Sequence, residues 1–159
     1  MILYLDASAL VKRYVAEPGS SEVNMAISRA QVTGTALLSR AEVEAALAKA
    51  MRLQALSQEE GLASLQVFRN EWPDLLRVQV TEMVVAQAGN LAWDHGLRGY
   101  DAVHLAAASA WQGALGERVT LATFDKQLWS AAESTGLEAY PDDLPAMLDT
   151  WKAARESSP

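Results

Sequence analysis

Ile2-Leu-Tyr-Leu5-Asp6-Ala-Ser8, at the head of the chain, sets the reading of everything after it. Four apolar residues without a break suit a short strand buried on both faces. Asp6 stops the run, and a carboxylate closing a buried strand is costly unless it has a partner. Ser8 then opens a helical stretch, Ala9 to Ala16, closed by Pro18-Gly19. A buried strand feeding a helix is the start of an α/β unit, and the pattern recurs downstream. Residues 21–31 read as a helix, and Val32 to Leu38 as a second strand. Ser39-Arg-Ala-Glu42 matches a capping box, with Val43, Ala46, Leu47, Ala50 and Met51 as the apolar face behind it. Ser57-Gln-Glu-Glu60 matches a second box and starts a helix that Pro73 stops near Trp72.

Leu76 to Thr81 is the third expected strand, Arg118 to Ala122 the fourth and Leu137 to Tyr140 the fifth. Helices are expected at 82–95, at Asp101 to Trp111 with Gly113 at its end, and at Asp125 to Ser134. Leu144, Met147, Leu148 and Trp151 fall at helical spacing in a last, docking helix before a frayed tail at 156–159. Strands alternating with helices give an α/β architecture with a parallel sheet.

The length of 159 residues favours one domain. A chain of this size buries about 68–70% of its unfolded surface and needs neither disulfides nor a structural metal. The absence of cysteine excludes a disulfide framework, thiol chemistry and cysteine zinc sites. Two histidines, His95 and His104, leave little for an imidazole-rich metal site. No basic region precedes the first apolar run, and no uncharged run approaches the ~18 residues of a membrane span, so a soluble, cytoplasmic protein is expected. A net charge of −7 argues against a general nucleic-acid coat. It leaves open a local patch, or contact through cations held by carboxylates.

Ligands of open α/β sheets collect beyond the carboxyl ends of the strands. Asp6 ends the first strand, Glu42 lies in the first turn after the second, and Asp125 follows the fourth. Asp101 opens the helix that precedes the fourth. Four carboxylates on one rim suit hard cations such as Mg²⁺ or Mn²⁺, and such ions serve hydrolysis at phosphorus. Each acid also has a structural account. Asp6 and Asp125 fit helix caps, Glu42 fits the box with Ser39, and Asp101 fits the helix dipole. His104, three residues after Asp101, shares its helix face and supports Asp101 or the substrate, or else is a satisfied core histidine. Five tryptophans fit core packing or an interface.

Leu5-Asp6-Ala-Ser8-Ala-Leu-Val-Lys12 with Glu17-Pro-Gly19, then Ser39-Arg-Ala-Glu42, Tyr100-Asp101-Ala-Val-His104 and Thr123-Phe-Asp125-Lys-Gln-Leu128 resemble the successive motifs of PIN-domain proteins. The order and spacing are most similar to those of VapC-type ribonuclease toxins of type II toxin–antitoxin systems. The resemblance spans residues 1 to about 140. It implies a three-layer α/β/α sandwich around a five-stranded parallel sheet, with 141–159 as a C-terminal docking helix and tail of the same domain. It further implies that Asp6, Glu42, Asp101 and Asp125 are catalytic carboxylates holding one or two Mg²⁺ or Mn²⁺ ions, with Ser8 and Thr123 as supporting hydroxyls. The implied activity is metal-dependent endonucleolytic cleavage of RNA. A cognate VapB-like antitoxin, a homodimer, and a heterotetramer or larger complex with the antitoxin complete the family pattern.

Unneutralised, four such carboxylates repel one another, which predicts raised carboxylate pKa values. Arg40, Lys126, Arg13 and Arg98 are the candidate phosphate contacts, beside Lys12, Lys49 and Arg52 on the helices that flank Asp6 and Glu42. Two rival enzymes fit poorly. A haloacid-dehalogenase-type phosphatase needs Asp-x-Asp where this chain has Asp6-Ala7-Ser8. A receiver domain needs an aspartate ending the third strand, where this chain has Val80-Thr81. The remaining alternative is a non-catalytic PIN-like module that binds RNA or protein.

Overall fold

The expected first strand is the centre of the sheet. The computed structural model describes residues 1–157, so Ser158 and Pro159 of the expected tail lie outside it. In chain order the elements are β1 (Ile2–Leu5), α1 (Ala7–Leu10), α2 (Ser20–Arg29), β2 (Val32–Ala36), α3 (Ser39–Arg52), α4 (Gln58–Glu71), β3 (Leu76–Val78), α5 (Glu82–His95), α6 (Gly99–Leu115), β4 (Val119–Ala122), α7 (Lys126–Ser134), β5 (Glu138–Tyr140) and α8 (Leu144–Glu156). The five strands pair in parallel in the order β3-β2-β1-β4-β5. Tyr4 lies opposite Gly34 on one side and Leu121 on the other.

All four residues of β1 are buried, as a central parallel strand requires. The strand's period of two sends them to different layers. Ile2 and Tyr4 join Leu105, Trp111, Leu121 and Leu128 beneath α5, α6 and α7. Leu3 and Leu5 join Leu10, Val23, Val43, Leu47 and Phe68 beneath α1 to α4. The result is the expected α/β/α sandwich. Gly34 makes the close packing of α6 possible, because a Cβ there would stand 2.8 Å from the Trp111 ring.

Several local expectations change. Asp6, not Ser8, caps the first helix, which is only one turn long and passes into a tight 3-10 turn at Val11–Arg13. The box at Ser57 and Glu60 forms as read, with both reciprocal bonds present. The box at Ser39 and Glu42 does not form. Leu38 occupies the cap position, and the buried Ser39 hydroxyl is taken by Thr35 at 2.6 Å. β3 stops at Val78, short of Thr81, because Thr81 caps α5 instead. α6 continues through Gly113 to Leu115 and ends at Gly116 in the left-handed region, φ 68°. Among the described residues no helix is long and apolar enough to cross a membrane.

Candidate active site

The strand order reverses direction at β1, with β2 on one side and β4 on the other. A crevice therefore opens beyond the carboxyl ends of β1 and β4. Asp6 leaves β1 into it, and the backbone N–H of Asp6 still donates to the Ala122 carbonyl at 3.1 Å. Thr123 and Asp125 leave β4 on the other bank. The crevice is a cavity of about 410 Å³ whose lining includes Asp6, Ser8, Glu42, Asp101, His104 and Asp125. All four sequence-predicted carboxylates thus face one space. A larger groove of about 660 Å³ runs along β5, but its carboxylates, Glu133, Glu138 and Asp142, are all exposed and no buried acid joins them.

Asp6 is 3% exposed and tightly held. Its Oδ1 accepts from the Ala9 N–H at 2.8 Å, its Oδ2 accepts from Thr123 Oγ1 at 2.7 Å, and Ser8 Oγ donates to both oxygens at 2.8 and 2.9 Å. Each hydroxyl also accepts a backbone N–H from the loop after β4. Phe124 N donates to Ser8 Oγ at 3.0 Å and Asp125 N to Thr123 Oγ1 at 3.1 Å. The two hydroxyls therefore lock the first acid and the β4–α7 loop into one unit. Burial pushes the Asp6 carboxyl up, and His104, Thr123, the Ala9 N–H and Ser8 oppose that rise. The cause is desolvation rather than the mutual repulsion expected from sequence.

Repulsion is limited because each of the other acids has a partner. Asp125 caps α7 through Oδ1, which accepts from the Gln127 and Leu128 N–H groups at 2.9 Å each. Its Oδ2 accepts from Arg98 Nη2 at 3.1 Å, while Arg98 Nε donates to Asp101 Oδ2 at 3.0 Å. One guanidinium thus spans two acids of the cavity. Glu42 Oε2 meets His104 Nε2 at 2.7 Å, and His104 Nδ1 meets the Tyr4 hydroxyl at 2.9 Å. Burial holds the Tyr4 hydroxyl well above its ordinary pKa, reinforced by the charges of Asp6 and Glu42. Tyr4 and Glu42 thus engage the two ring nitrogens of His104 and fix the orientation of the imidazole. His104 supports Glu42, not Asp101.

Of the expected phosphate contacts, Arg98 is engaged as above. Arg13 pairs with Glu71 at 2.9 Å and lines a different groove. Arg40 approaches Glu44 at 3.7 Å. Lys126 is exposed, with no ion pair among the described residues. Sequence reading missed Tyr4, whose only signal was a hydroxyl in an apolar strand. It also missed the bridging role of Arg98, signalled by its position three residues before Asp101.

The donor set fits a hard divalent cation in kind: four carboxylates around one cavity, with neither thiol nor crowded imidazole. Three donors on Asp6 against about four carboxylate lone-pair sites leave capacity for a cation. Among the described residues no three Asp, Glu or His side chains already converge as a ready-made cage. Arg98 and His104 hold three of the four acids.

The model of the PIN domain family matches residues 3–133, and the chain belongs to that family. Its relatives place it on the VapC-type branch. Ribonuclease VapC49 of Mycobacterium tuberculosis (strain ATCC 25618 / H37Rv) is 36% identical over 144 residues, covering 90% of this chain and 97% of the relative. Ribonuclease VapC3 of Pyrobaculum aerophilum is 34% identical over 128 residues, covering 80% and 92%. Among solved structures, PAE2754 from Pyrobaculum aerophilum superposes with a TM-score of 0.62 at 18% identity, over 94% of this chain and 90% of that one. FitAcB from Neisseria gonorrhoeae gives 0.61 at 17%, over 89% and 98%. These two structures share the fold.

Proposed function

We propose that the protein is a Mg²⁺- or Mn²⁺-dependent endoribonuclease, the toxin of a toxin–antitoxin pair. The observation that carries this reading is the meeting of Asp6, Glu42, Asp101 and Asp125 in one cavity at the switch point of the sheet. The ribonuclease names of its VapC relatives support RNA as the substrate.

Asp6, Glu42, Asp101 and Asp125 would hold one or two ions. Bound there, a divalent cation supplies an activated water and charge neutralisation for in-line displacement at phosphorus. The residues of the chain do the rest. Ser8 and Thr123 fix the Asp6 carboxylate so that it needs no reorganisation. His104 fixes Glu42. Lys126, exposed at the start of α7 beside Asp125, receives the phosphate chain, while Arg40 and Arg13 contribute general positive charge. Arg98, which spans Asp101 and Asp125, would be free to meet RNA phosphate if those carboxylates held a cation instead. Arg98→Met is accordingly expected to bind Mn²⁺ a few-fold tighter by titration calorimetry, yet to bind RNA more weakly. Unchanged or weaker Mn²⁺ binding would count against this exchange.

The assay for the whole reading uses the purified, antitoxin-free chain, a pool of structured RNAs and Mn²⁺ or Mg²⁺. Discrete cleavage leaving 5′-phosphate and 3′-hydroxyl ends is expected, because water rather than the RNA 2′-hydroxyl is the nucleophile. EDTA and Asp6→Asn should each abolish it. Cleavage that survives both sinks the assignment of these residues. A folded chain that binds RNA without cutting it in either metal supports the second reading, a non-catalytic binding module.

The same reading makes the chain cytoplasmic, with residues 1–140 as the nuclease body and 141–159 completing one domain. A VapB-like antitoxin would cover the cavity, and adding it should stop cleavage. Val85 of α5 and Tyr100 of α6, exposed at 49% and 69%, line one apolar groove with Ala88, Ala92 and Val103, and this face is where two copies pair. Sedimentation of the purified chain should show a dimer, and a heterotetramer or larger with antitoxin. A monomer at every concentration would refute the pairing.

A further inference from the structure

The carboxylate cavity does not end at Asp125. Phe124, one of its lining residues, also lines a second groove of about 480 Å³, between the turn at Glu17–Gly19 and α8. The position of this ring is built from several directions. Gly19, with φ 96°, backs directly onto it, and a Cβ there would stand 2.6 Å from the ring. Lys12 Nζ sits 4.7 Å from the ring centroid while pairing with Glu17 at 2.9 Å. Trp151 of α8 stacks on Phe124 with centroids 5.8 Å apart and planes 17° from parallel. Trp151 lies past residue 133, where the family match ends. Both rings are only partly buried, and Arg155, which lines the same groove, is exposed with no ion-pair partner among the described residues.

Phe124 is covered by Trp151 and Lys12, so Trp151 is the ring available to a ligand, and with the Arg155 guanidinium of the same groove it matches a flat π-system joined to an anion. A nucleotide has both parts. Successive bases stack on such platforms with little sequence preference, while Arg or Lys takes the backbone. An aliphatic protein side chain would fill the groove too, but it uses neither the flat ring nor the cation. We propose that Trp151, backed by Phe124, forms a base-stacking subsite for a nucleotide flanking the scissile phosphate, with Arg155 on the adjoining phosphate. Gly19 and Lys12 set the angle of Phe124. The inference rests on the ribonuclease reading and adds to it where the substrate's neighbouring base lies.

The test uses the full chain and short oligoadenylate strands, intact or with one abasic residue placed at each position in turn. Binding is followed by fluorescence anisotropy in the Asp6→Asn background, and cleavage with Mn²⁺ in the otherwise native chain. Trp151→Ala is expected to weaken binding of the intact strand about tenfold, within the range of base–aromatic stacking. The loss should appear in KM, with kcat close to unchanged. Trp151→Phe, which keeps an aromatic ring, should recover most of it. One abasic position should bind the native and Trp151→Ala chains equally weakly, since the partner of the ring is then already absent. Equal losses in Trp151→Phe and Trp151→Ala, or a tenfold gap that persists at every abasic position, would overturn the subsite. So would native-like binding and KM in Trp151→Ala, whether its only defect is a lower melting temperature or weaker binding of an antitoxin. If the native chain neither binds nor cuts RNA, the ribonuclease reading fails as well. If it cuts normally without Trp151, the subsite alone fails.

Discussion

Replacing Asp6 by Asn is expected to lower RNA cleavage by on the order of 10³-fold and, without divalent cations, to raise the melting temperature at neutral pH. The first effect follows from the place of Asp6 at the switch point, since a carboxylate that helps hold a catalytic cation carries several kcal/mol of transition-state stabilisation. The second follows from burial. The Asp6 carboxyl is pushed up by desolvation despite three donors around it. A raised carboxyl pKa means that the folded state prefers the protonated acid. Its contribution to stability is therefore complete below the ordinary aspartate pKa, about 3.9, and is lost as pH rises through the higher folded value. Asparagine has the same shape and no charge to bury, and the Ser8 and Thr123 hydroxyls can turn to accept from its amide. Melting curves recorded upward from about pH 4 should show the Asn variant gaining on the native chain. A shift of about 2–4 °C per kcal/mol applies to a domain of this length. Mn²⁺ should close the gap by stabilising only the native chain. An Asn variant that melts progressively below the native chain as pH rises would contradict the burial argument, even if its activity is lost.

The sequence reading was most secure where one helix or strand decides its own ends. α5 runs over the expected residues because Thr81 caps one end and Gly96 takes the left-handed position at the other. The box at Ser57 forms because both partners are exposed and have no competing bond. The rim of acids was legible because strand ends in a parallel sheet share one side. Failures came where a distant partner intervenes. Ser39 and Glu42 have the same Ser-x-x-Glu spacing as the true box, yet Thr35 takes the hydroxyl and His104, 62 residues away, takes the carboxylate. The capping-box account of Glu42 thus fails through a bond that local spacing cannot show. The choice between Asp6 and Ser8 as cap was similar. Ser8 gives its proton to Asp6 and accepts from Phe124, 116 residues on, so only Asp6 is left to cap α1. Gly113 looked like a stop because its open surroundings are invisible in sequence; no atom stands within 4 Å of a Cβ built there.

His104→Ala should reduce cleavage about 10–100-fold, the usual range when the residue that orients a ligating group is removed. It should also lower the melting temperature, because the buried Tyr4 hydroxyl loses its partner at a cost of about 1–3 kcal/mol. His104 is 2% exposed, and although it borders the cavity, its Nε2 is engaged by Glu42 and its Nδ1 by Tyr4. It is therefore a positioning residue, and its effect has to pass through that carboxylate. Two measurements separate positioning from mere packing. Mn²⁺ affinity, read by calorimetry on the folded chain, should fall in His104→Ala but stay near native in His104→Gln, whose amide can still donate to Glu42. Combining His104→Ala with Glu42→Gln should reduce cleavage no further than Glu42→Gln alone, since the group that His104 orients is already lost. Fully additive losses in that pair, together with native Mn²⁺ affinity in His104→Ala, would show that the imidazole only fills space beneath β1. Sub-additive losses would instead tie the Tyr4–His104–Glu42 chain to the aim of one catalytic carboxylate, linking the packing of the central strand to the chemistry at its end.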